Sequence, residues 1–479
     1  MHIKWLEWNK ESFQKAKKEN KPILLDIMAV WCYWCKRLDK DTYENKDVIS
    51  FVNNNFIPIR VDTDKRPDIN SRYNWGGWPT TAVLNKKGEI INGVMYLPYY
   101  EMLNFLEQSL NSFKKDDHIE KEFLEEKFTN KNIKLIKENI YNIIKNYYDP
   151  YFGGFGNDNK FPNHNILNLL LSTFEIDSSK EMLIKTLKDM AEGEIFDKEE
   201  GGFYRYSTQQ DWSSPHYEKL LDDNSRLLNV YLEVYNLTKI EKFKDISIKT
   251  IGFIINNFLN KKQGFFYASQ DADEEYSKLK LNQRINSKKP YVDKTLFLDF
   301  NCYTIISFLT AHKILDKEEY KKIAIKTLEF LINNLVNKNG VLHYFDNKSN
   351  PPYLLKNSFL LINALMETKD KNYINLAEKL TKSTISNFLN KKENTFFDIK
   401  DSEDSFGYLK IKRTDIDDNS LAITVLLKIF NITKNKYYFD FAEKALLGIK
   451  NKINSNSISS VYFAQAIINY EKIKQLNGI

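Results

Sequence analysis

Cysteine is scarce in this chain, with three in 479 residues. Cys32 and Cys35 form one CxxC, and Cys302 lies far from both. A tetrahedral structural zinc site wants four ligands, and no second CxxC or nearby histidine pair supplies them, so no metal is expected. Long apolar runs are also missing. No stretch approaches the roughly 18 residues that would mark a membrane-spanning helix. The start, Met1-His-Ile-Lys4-Trp-Leu-Glu7, is charged at once and has no apolar signal segment. The expectation is a cytoplasmic location and no membrane partner. One CxxC in a reducing compartment is more often catalytic than structural. Neither GxGxxG nor a P-loop motif occurs, so no nucleotide cofactor is expected. The only redox group is then the Cys32–Cys35 pair. The net charge of +6 is small for this length. Lysines are spread beside glutamates and asparagines along helical segments, which reads as solvated helix faces and excludes a nucleic-acid footprint.

What is present is a globular composition, 42% hydrophobic and 28% charged, in a chain too long for one ordinary core. The most informative stretch runs from Asp26 to Lys36 and contains Trp31-Cys32-Tyr33-Trp34-Cys35. CxxC alone is weak evidence, since the spacing also serves as half of a zinc site or as an inert pair. Its neighbours add to it. The run from Pro22 to Met28 reads as a buried strand, which places the cysteines at a strand-to-helix junction. There the first cysteine faces free helix N–H groups and the positive end of the dipole, both of which favour a thiolate. Gly76-Gly77-Trp78-Pro79 follows, and a proline there can be cis, with its flanking backbone beside the disulfide. Asp26 sits inside the apolar strand, where a lone carboxylate is costly unless it has a task. Proton transfer to and from Cys35 is such a task.

Residues 1–113 alternate helix and strand patterns. Helices are expected over 10–20, 35–43, 47–54 and 100–113, and strands over 23–28, 56–61, 82–84 and 90–95. That order gives a thioredoxin-like α/β domain. Residues 114–130 read as a helical connector. Residues 131–479 show almost no strand pattern. Six strongly apolar segments (165–174, 220–237, 300–314, 358–366, 421–432 and 461–470) alternate with six amphipathic ones. Apolar helices are buried on most sides and amphipathic ones face water. Six inner and six outer helices predict an all-α (α/α)6 toroid; an open solenoid of hairpins competes.

In such a toroid the loops entering the inner helices surround a central funnel. Polar residues concentrate there: His216, Glu218, Asp222, Asp223 and Asn224; Asp271 and Asp273; Asp299; and Asp417 and Asp418. Repeated acids fit a sugar-binding funnel, where two carboxylates work as acid and base. They also fit helix caps, because Asp and Asn are favoured N-caps. Trp212, Tyr204 and Tyr206 have the chemistry to stack on a sugar, with core packing as the alternative.

Together these motifs resemble the spermatogenesis-associated thioredoxin-like family. The residues carrying the match are Trp8, Phe13, Lys21-Pro22-Ile23, Cys32 to Cys35, Val61-Asp62, Arg66-Pro67-Asp68 and Gly76 to Pro79. Later in the chain they are Gly153 to Gly156 with Lys160-Phe-Pro162, Gly201 to Tyr206, Pro215 to Lys219 with Asp223-Asn224, and Gln270 to Asp273. The resemblance implies a thioredoxin-like domain fused to a toroid similar to six-hairpin glycosidases and N-acylglucosamine 2-epimerases. It does not define an activity. The chain departs from the family at Trp31, at the short stretch 68–76, at Phe300-Asn301-Cys302 and at Asp417-Asp418-Asn419-Ser420. Trp31 and Asp26 look more like ordinary thioredoxin, and 21–36 also resembles the thioredoxin-like domain of membrane thiol reductases.

The reading that follows is a disulfide reductase. Cys32 attacks, Cys35 resolves and Asp26 manages the proton. Trp31, Trp78, Pro79 and Thr80 meet the substrate. The expected partners are a protein or small-molecule disulfide and an external thiol reductant, with a carbohydrate ligand for the toroid as a further possibility. A carbohydrate-active enzyme with a regulatory thioredoxin domain and a redox-linked scaffold are the alternatives.

Overall fold

The computed structural model describes residues 2–115, 132–346, 351–455 and 457–478. The chain forms two compact units. The first holds Met1–Leu124, Lys348–Pro352 and Ile399–Lys412, and the second holds Glu125–Asn347, Tyr353–Asp398 and Arg413–Ile479. One assignment changes here: residues 399–412, expected in the helical part, group with the N-terminal unit. The expected connector over 114–130 lies almost wholly outside the described residues. Among the described residues no helix is long and apolar enough to cross a membrane.

The first unit is built on a four-stranded sheet of β1 (Ile23–Met28), β2 (Ile57–Asp62), β3 (Thr80–Leu84) and β4 (Ile90–Val94), in the order β2-β1-β3-β4. β1 pairs parallel with β2, Ile23 opposite Ile57, and antiparallel with β3, Ile23 opposite Leu84. β1 is buried nearly throughout, which is why it reads as a continuous apolar run rather than an alternation. Helices α1 (Lys10–Glu19), α2 (Tyr33–Leu38), α3 (Lys46–Asn55), α4 (Pro67–Tyr73) and α5 (Tyr99–Lys114) surround it. After α2 the chain continues as a π-helical turn over Asp39–Tyr43. The sequence reading missed α4. Its start signal is there, Pro67 in the first turn, but seven residues are too few for a period to show.

Segment 399–412 completes this unit. Phe406 stacks on Phe13 with centroids 4.6 Å apart, and Tyr408 stacks on Tyr73 at 5.1 Å. The Trp8 indole donates to the Asp404 carbonyl at 3.2 Å. Arg72 is fully buried and donates to the carbonyls of Tyr408 (3.0 Å) and Ile411 (2.9 Å). A buried guanidinium is tolerated because those carbonyls replace its water.

The second unit alternates outer and inner helices. In chain order they are α6 (Ile133–Tyr147) and α7 (His164–Ser172), α8 (Asp177–Glu192) and α9 (Leu221–Thr238), then α10 (Glu241–Asn257). Two short helices, α11 (Glu274–Lys278) and α12 (Leu281–Arg284), precede α13 (Leu298–Leu315) and α14 (Glu318–Leu335). The series ends with α15 (Leu355–Glu367), α16 (Lys371–Phe388), α17 (Ile416–Thr433), α18 (Lys436–Ile449) and α19 (Val461–Asn477). Inner helices touch in the order α7, α9, α13, α15, α17, α19, and α19 returns to α7. That contact closes the ring and removes the open-solenoid alternative. α15 shows why the inner segments read as apolar all round, with ten of its thirteen residues buried.

One device recurs at the inner-helix starts. Asn224 accepts from the Phe203 N–H at 2.6 Å and donates to the carbonyls of Phe203 and Leu220. Asn301 does the same with Phe266 and Phe297, and Asn419 with Phe396 and Asp415. Each asparagine clamps the phenylalanine of the preceding turn onto the first turn of its helix. Gly202 lies under the Asn224 clamp at φ +78°, and a Cβ there would strike the Phe253 ring and Asn224 Oδ1.

Candidate functional site

In the first unit, Cys32 is the N-cap of α2 and is disulfide-bonded to Cys35. Its sulfur accepts the Cys35 N–H at 3.1 Å, so a helix-terminal donor already faces the position where a thiolate would form. The Trp78–Pro79 peptide is cis. Thr80 is fully buried; its hydroxyl donates to the Gly77 carbonyl at 2.7 Å and accepts the Trp75 N–H at 3.1 Å. Thr80 thus ties the turn together. Trp31 was expected to meet substrate, but it is only 4% exposed. Its indole donates to Asp64 at 2.7 Å and its ring meets Trp78 edge-on. The exposed aromatics are the two residues inside the motif, Tyr33 at 47% and Trp34 at 48%. The motif was read for its sulfurs, and its apolar surface went unnoticed.

Asp26 is buried but not alone. Arg60 donates to its Oδ2 at 2.6 Å, also binds Asp39, and stacks 4.3 Å over the Trp5 ring. Strand register sets this pair, since Asp26 lies opposite Arg60. Asp26 Oδ1 has no hydrogen-bond partner. Burial pushes the carboxyl up to about 6; the Arg60 charge opposes that and Asp39 adds to it.

In the second unit the first turns of all six inner helices contribute polar groups that meet. His164 of α7 holds Asp223 of α9, with Nε2 and Oδ1 2.7 Å apart. Arg226 of α9 donates to Asn165 of α7 and, at 2.8 Å, to the Tyr462 hydroxyl of α19. Arg226 also lies 5.1 Å from the Tyr303 ring of α13. Lys356 of α15 pairs with Asp299 of α13 at 3.1 Å. Burial works against the Asp299 charge, but Lys356 holds its carboxyl below the usual range. Asp222 lies within range of Asp223, Arg226, Lys356 and Asp299, and burial pushes it up to about 7. Asp417 of α17 is also pushed up to about 7, by burial and then Asp415. Asp418 is raised well above its usual range by the same causes. Burial and the Arg226 charge lower His164.

The other expected toroid residues have different uses. Asn224 is the clamp described above, not a pocket ligand. Asp273 caps α11, accepting the Tyr276 N–H at 2.9 Å. The Asp271 N–H donates to the Tyr291 carbonyl at 2.9 Å. His216 stacks on Tyr206 with centroids 4.4 Å apart, and its Nδ1 stands 3.8 Å from Glu218 Oε1. Glu218 is 1% exposed and its Oε2 has no partner. Trp212 and Tyr204 are core residues.

Residues 1–136 match the family model described as Thioredox_DsbH, protein of unknown function, DUF255. An uncharacterized Caenorhabditis elegans protein is 34% identical over 305 residues, 57% of this chain and 41% of that protein. Spermatogenesis-associated protein 20 of Rattus norvegicus is 30% identical over 310 residues, 57% of this chain and 39% of that protein. The chain is thus similar to the spermatogenesis-associated proteins, and its first unit matches the thioredoxin-like family model. These matches span about two-fifths of the length of the curated relatives. Cellobiose 2-epimerase from Spirochaeta thermophila is similar in structure, with TM-score 0.57 and 10% identity over 72% of this chain and 98% of that one. This shows that the fold of the second unit is that of the six-hairpin toroids.

Several motifs that mark the family turn out to be scaffold. Buried Lys160 binds Asp149 and the Gly153 carbonyl, and buried Lys219 binds Asp197 and the Gly201 carbonyl. In both places an aspartate stands four residues before a Gly-Gly-Phe turn, and a lysine locks the turn to it. The sequence reading missed His164, Asn165, Arg226, Tyr303, Lys356 and Tyr462. The Asn clamps mark only the acids of the cluster: Asp222 and Asp223 before Asn224, Asp299 two residues before Asn301, and Asp417 and Asp418 before Asn419.

Proposed function

We propose that the first unit is a thiol–disulfide oxidoreductase working as a disulfide reductase in a reducing compartment such as the cytoplasm. The observation that carries this is Cys32 at the N-cap of α2, within bonding distance of Cys35. In the reduced form the Cys32 thiolate attacks a substrate disulfide. One substrate sulfur leaves as a thiolate and takes a proton from water. Cys35 loses its proton, for which buried Asp26 is the nearby base in sequence, and attacks Cys32 Sγ. That step releases the second substrate thiol and forms the Cys32–Cys35 bond. Two electrons pass from the dithiol to the substrate, and an external thiol returns them. The backbone around Pro79, with Trp78 and exposed Tyr33 and Trp34, supplies the surface for the disulfide-bearing chain. The test is turnover of a peptide disulfide with dithiothreitol as reductant. Cys32→Ser should abolish catalysis, and an unchanged rate would contradict the proposal.

A second reading is favoured by the meeting of charged groups from six inner helices. In it the toroid binds a carbohydrate, as the names of the structurally similar epimerases and D-mannose isomerase suggest for those proteins. Sugar binding that survives Cys32→Ser/Cys35→Ser would support it.

A further inference from the structure

We propose that the first turns of the six inner helices form a binding site for a hydroxylated organic amine, a cationic sugar-like ligand. The inference rests on the toroid reading above and is independent of the dithiol.

The argument begins with which groups are already satisfied. Asp223 has His164, Asp299 has Lys356, and Asp415 accepts the Asp418 N–H at 2.9 Å as the cap of α17. The Arg226 hydrogen bonds go to neutral partners, Asn165 and Tyr462. That leaves Asp222, Asp417 and Asp418 without a hydrogen-bond donor to their side chains among the described residues. Asp417 Oδ1 is fully enclosed and unpartnered. So is Nδ1 of His164, a residue only 8% exposed that faces Asp223 through its other nitrogen. Buried acceptors without donors cost free energy unless something fills them.

Charge narrows the occupant. Six acidic side chains (Asp222, Asp223, Asp299, Asp415, Asp417 and Asp418) lie around two cations, Arg226 and Lys356, while burial and the Arg226 charge lower His164. An anionic sugar would add to the excess of carboxylate, and a neutral one would leave it. An ammonium group offsets it and donates to the unfilled oxygens. Hydroxyls suit the remaining mixture, because Arg226 and Lys356 donate while Tyr303 and Tyr462 do either. A bare metal cation is a poorer fit: among the described residues no group of three or more His, Cys, Asp or Glu side chains is arranged to hold one.

Binding a cation favours the ionised carboxylates. Near pH 7 it must therefore expel protons from Asp222 and Asp417, and affinity for it must fall as the pH drops from 7 to 5.

The test is calorimetric titration of the full chain with glucosamine, glucose and glucuronate at pH 7, in two buffers of different ionisation enthalpy. Glucosamine should bind at least tenfold more tightly than glucose, about 1.4 kcal/mol, with glucuronate weakest. Glucosamine binding should release protons. Asp417→Asn and Asp222→Asn should each weaken glucosamine about tenfold and glucose much less. The Cys32→Ser/Cys35→Ser protein should bind glucosamine like the unmodified chain, so failure of the disulfide chemistry leaves this result intact. Equal affinity for glucose and glucosamine, uptake rather than release of protons, or a flat glucosamine isotherm would each overturn the proposal.

Discussion

At the scale of single residues, buried Asp26 carries a pH effect. Its carboxyl titrates near 3.8 when unfolded and about 6 when folded. The folded state therefore holds the proton more tightly, and its advantage is complete below pH 4. That advantage is lost as the pH rises through 6, a change of about 3 kcal/mol. Asp26→Asn has no such loss. Urea denaturation should show the variant gaining stability relative to the unmodified chain between pH 4 and 7, and parallel curves would contradict this. Reduction of a model disulfide should slow in the same variant. The sequence showed Asp26 but suggested a lone acid, whose removal would simply stabilise. Its partner Arg60 is set by strand register, which a single run of residues does not display. For the cysteines, iodoacetamide at neutral pH should label reduced Cys32 first. Cys302 should react last, because it is fully buried and burial pushes its thiol up. Earlier labelling of Cys302 would contradict its place in α13.

At the scale of elements, the strands and helices were legible wherever their apolar pattern ran long enough. β1 and all six inner helices show this. What escaped was short or assembled from distant pieces: α4, the π-helical turn and the packing of 399–412 on α1 and α4. That last segment lies well over 300 residues from its partners, and no local period marks it. A fragment ending at residue 115 leaves Arg72 without the Tyr408 and Ile411 carbonyls and uncovers Phe13 and Tyr73. It should therefore be far more protease-sensitive than the same residues in the full chain; equal resistance would show that 399–412 is dispensable. The asparagine clamps make a second prediction. Asn301→Ala leaves the Phe266 N–H unpaired in the core and removes the side-chain donor to the Phe266 and Phe297 carbonyls, which should cost about 1–3 kcal/mol in urea denaturation. A loss below about 0.5 kcal/mol would mean the turn repairs itself.

At the scale of the whole molecule, the chain joins a thioredoxin-like unit to a closed ring of twelve helices among the described residues. Closure was foreseen from six apolar and six amphipathic segments, and the return contact from α19 to α7 establishes it. The toroid's centre was half legible. Asp222, Asp223, Asp417 and Asp418 were singled out as repeated acids, whereas Arg226, Lys356 and His164 are cations or acceptors that only the ring brings to them. The central claim concerns the other unit: Cys32 attacks a disulfide and Cys35 resolves it. The most direct measurement is mass spectrometry of the Cys35→Ser chain after reaction with a peptide disulfide. The account predicts a stable adduct of one half-peptide on Cys32 and none in Cys32→Ser/Cys35→Ser. No adduct on Cys32, or an adduct only on Cys302, would contradict it.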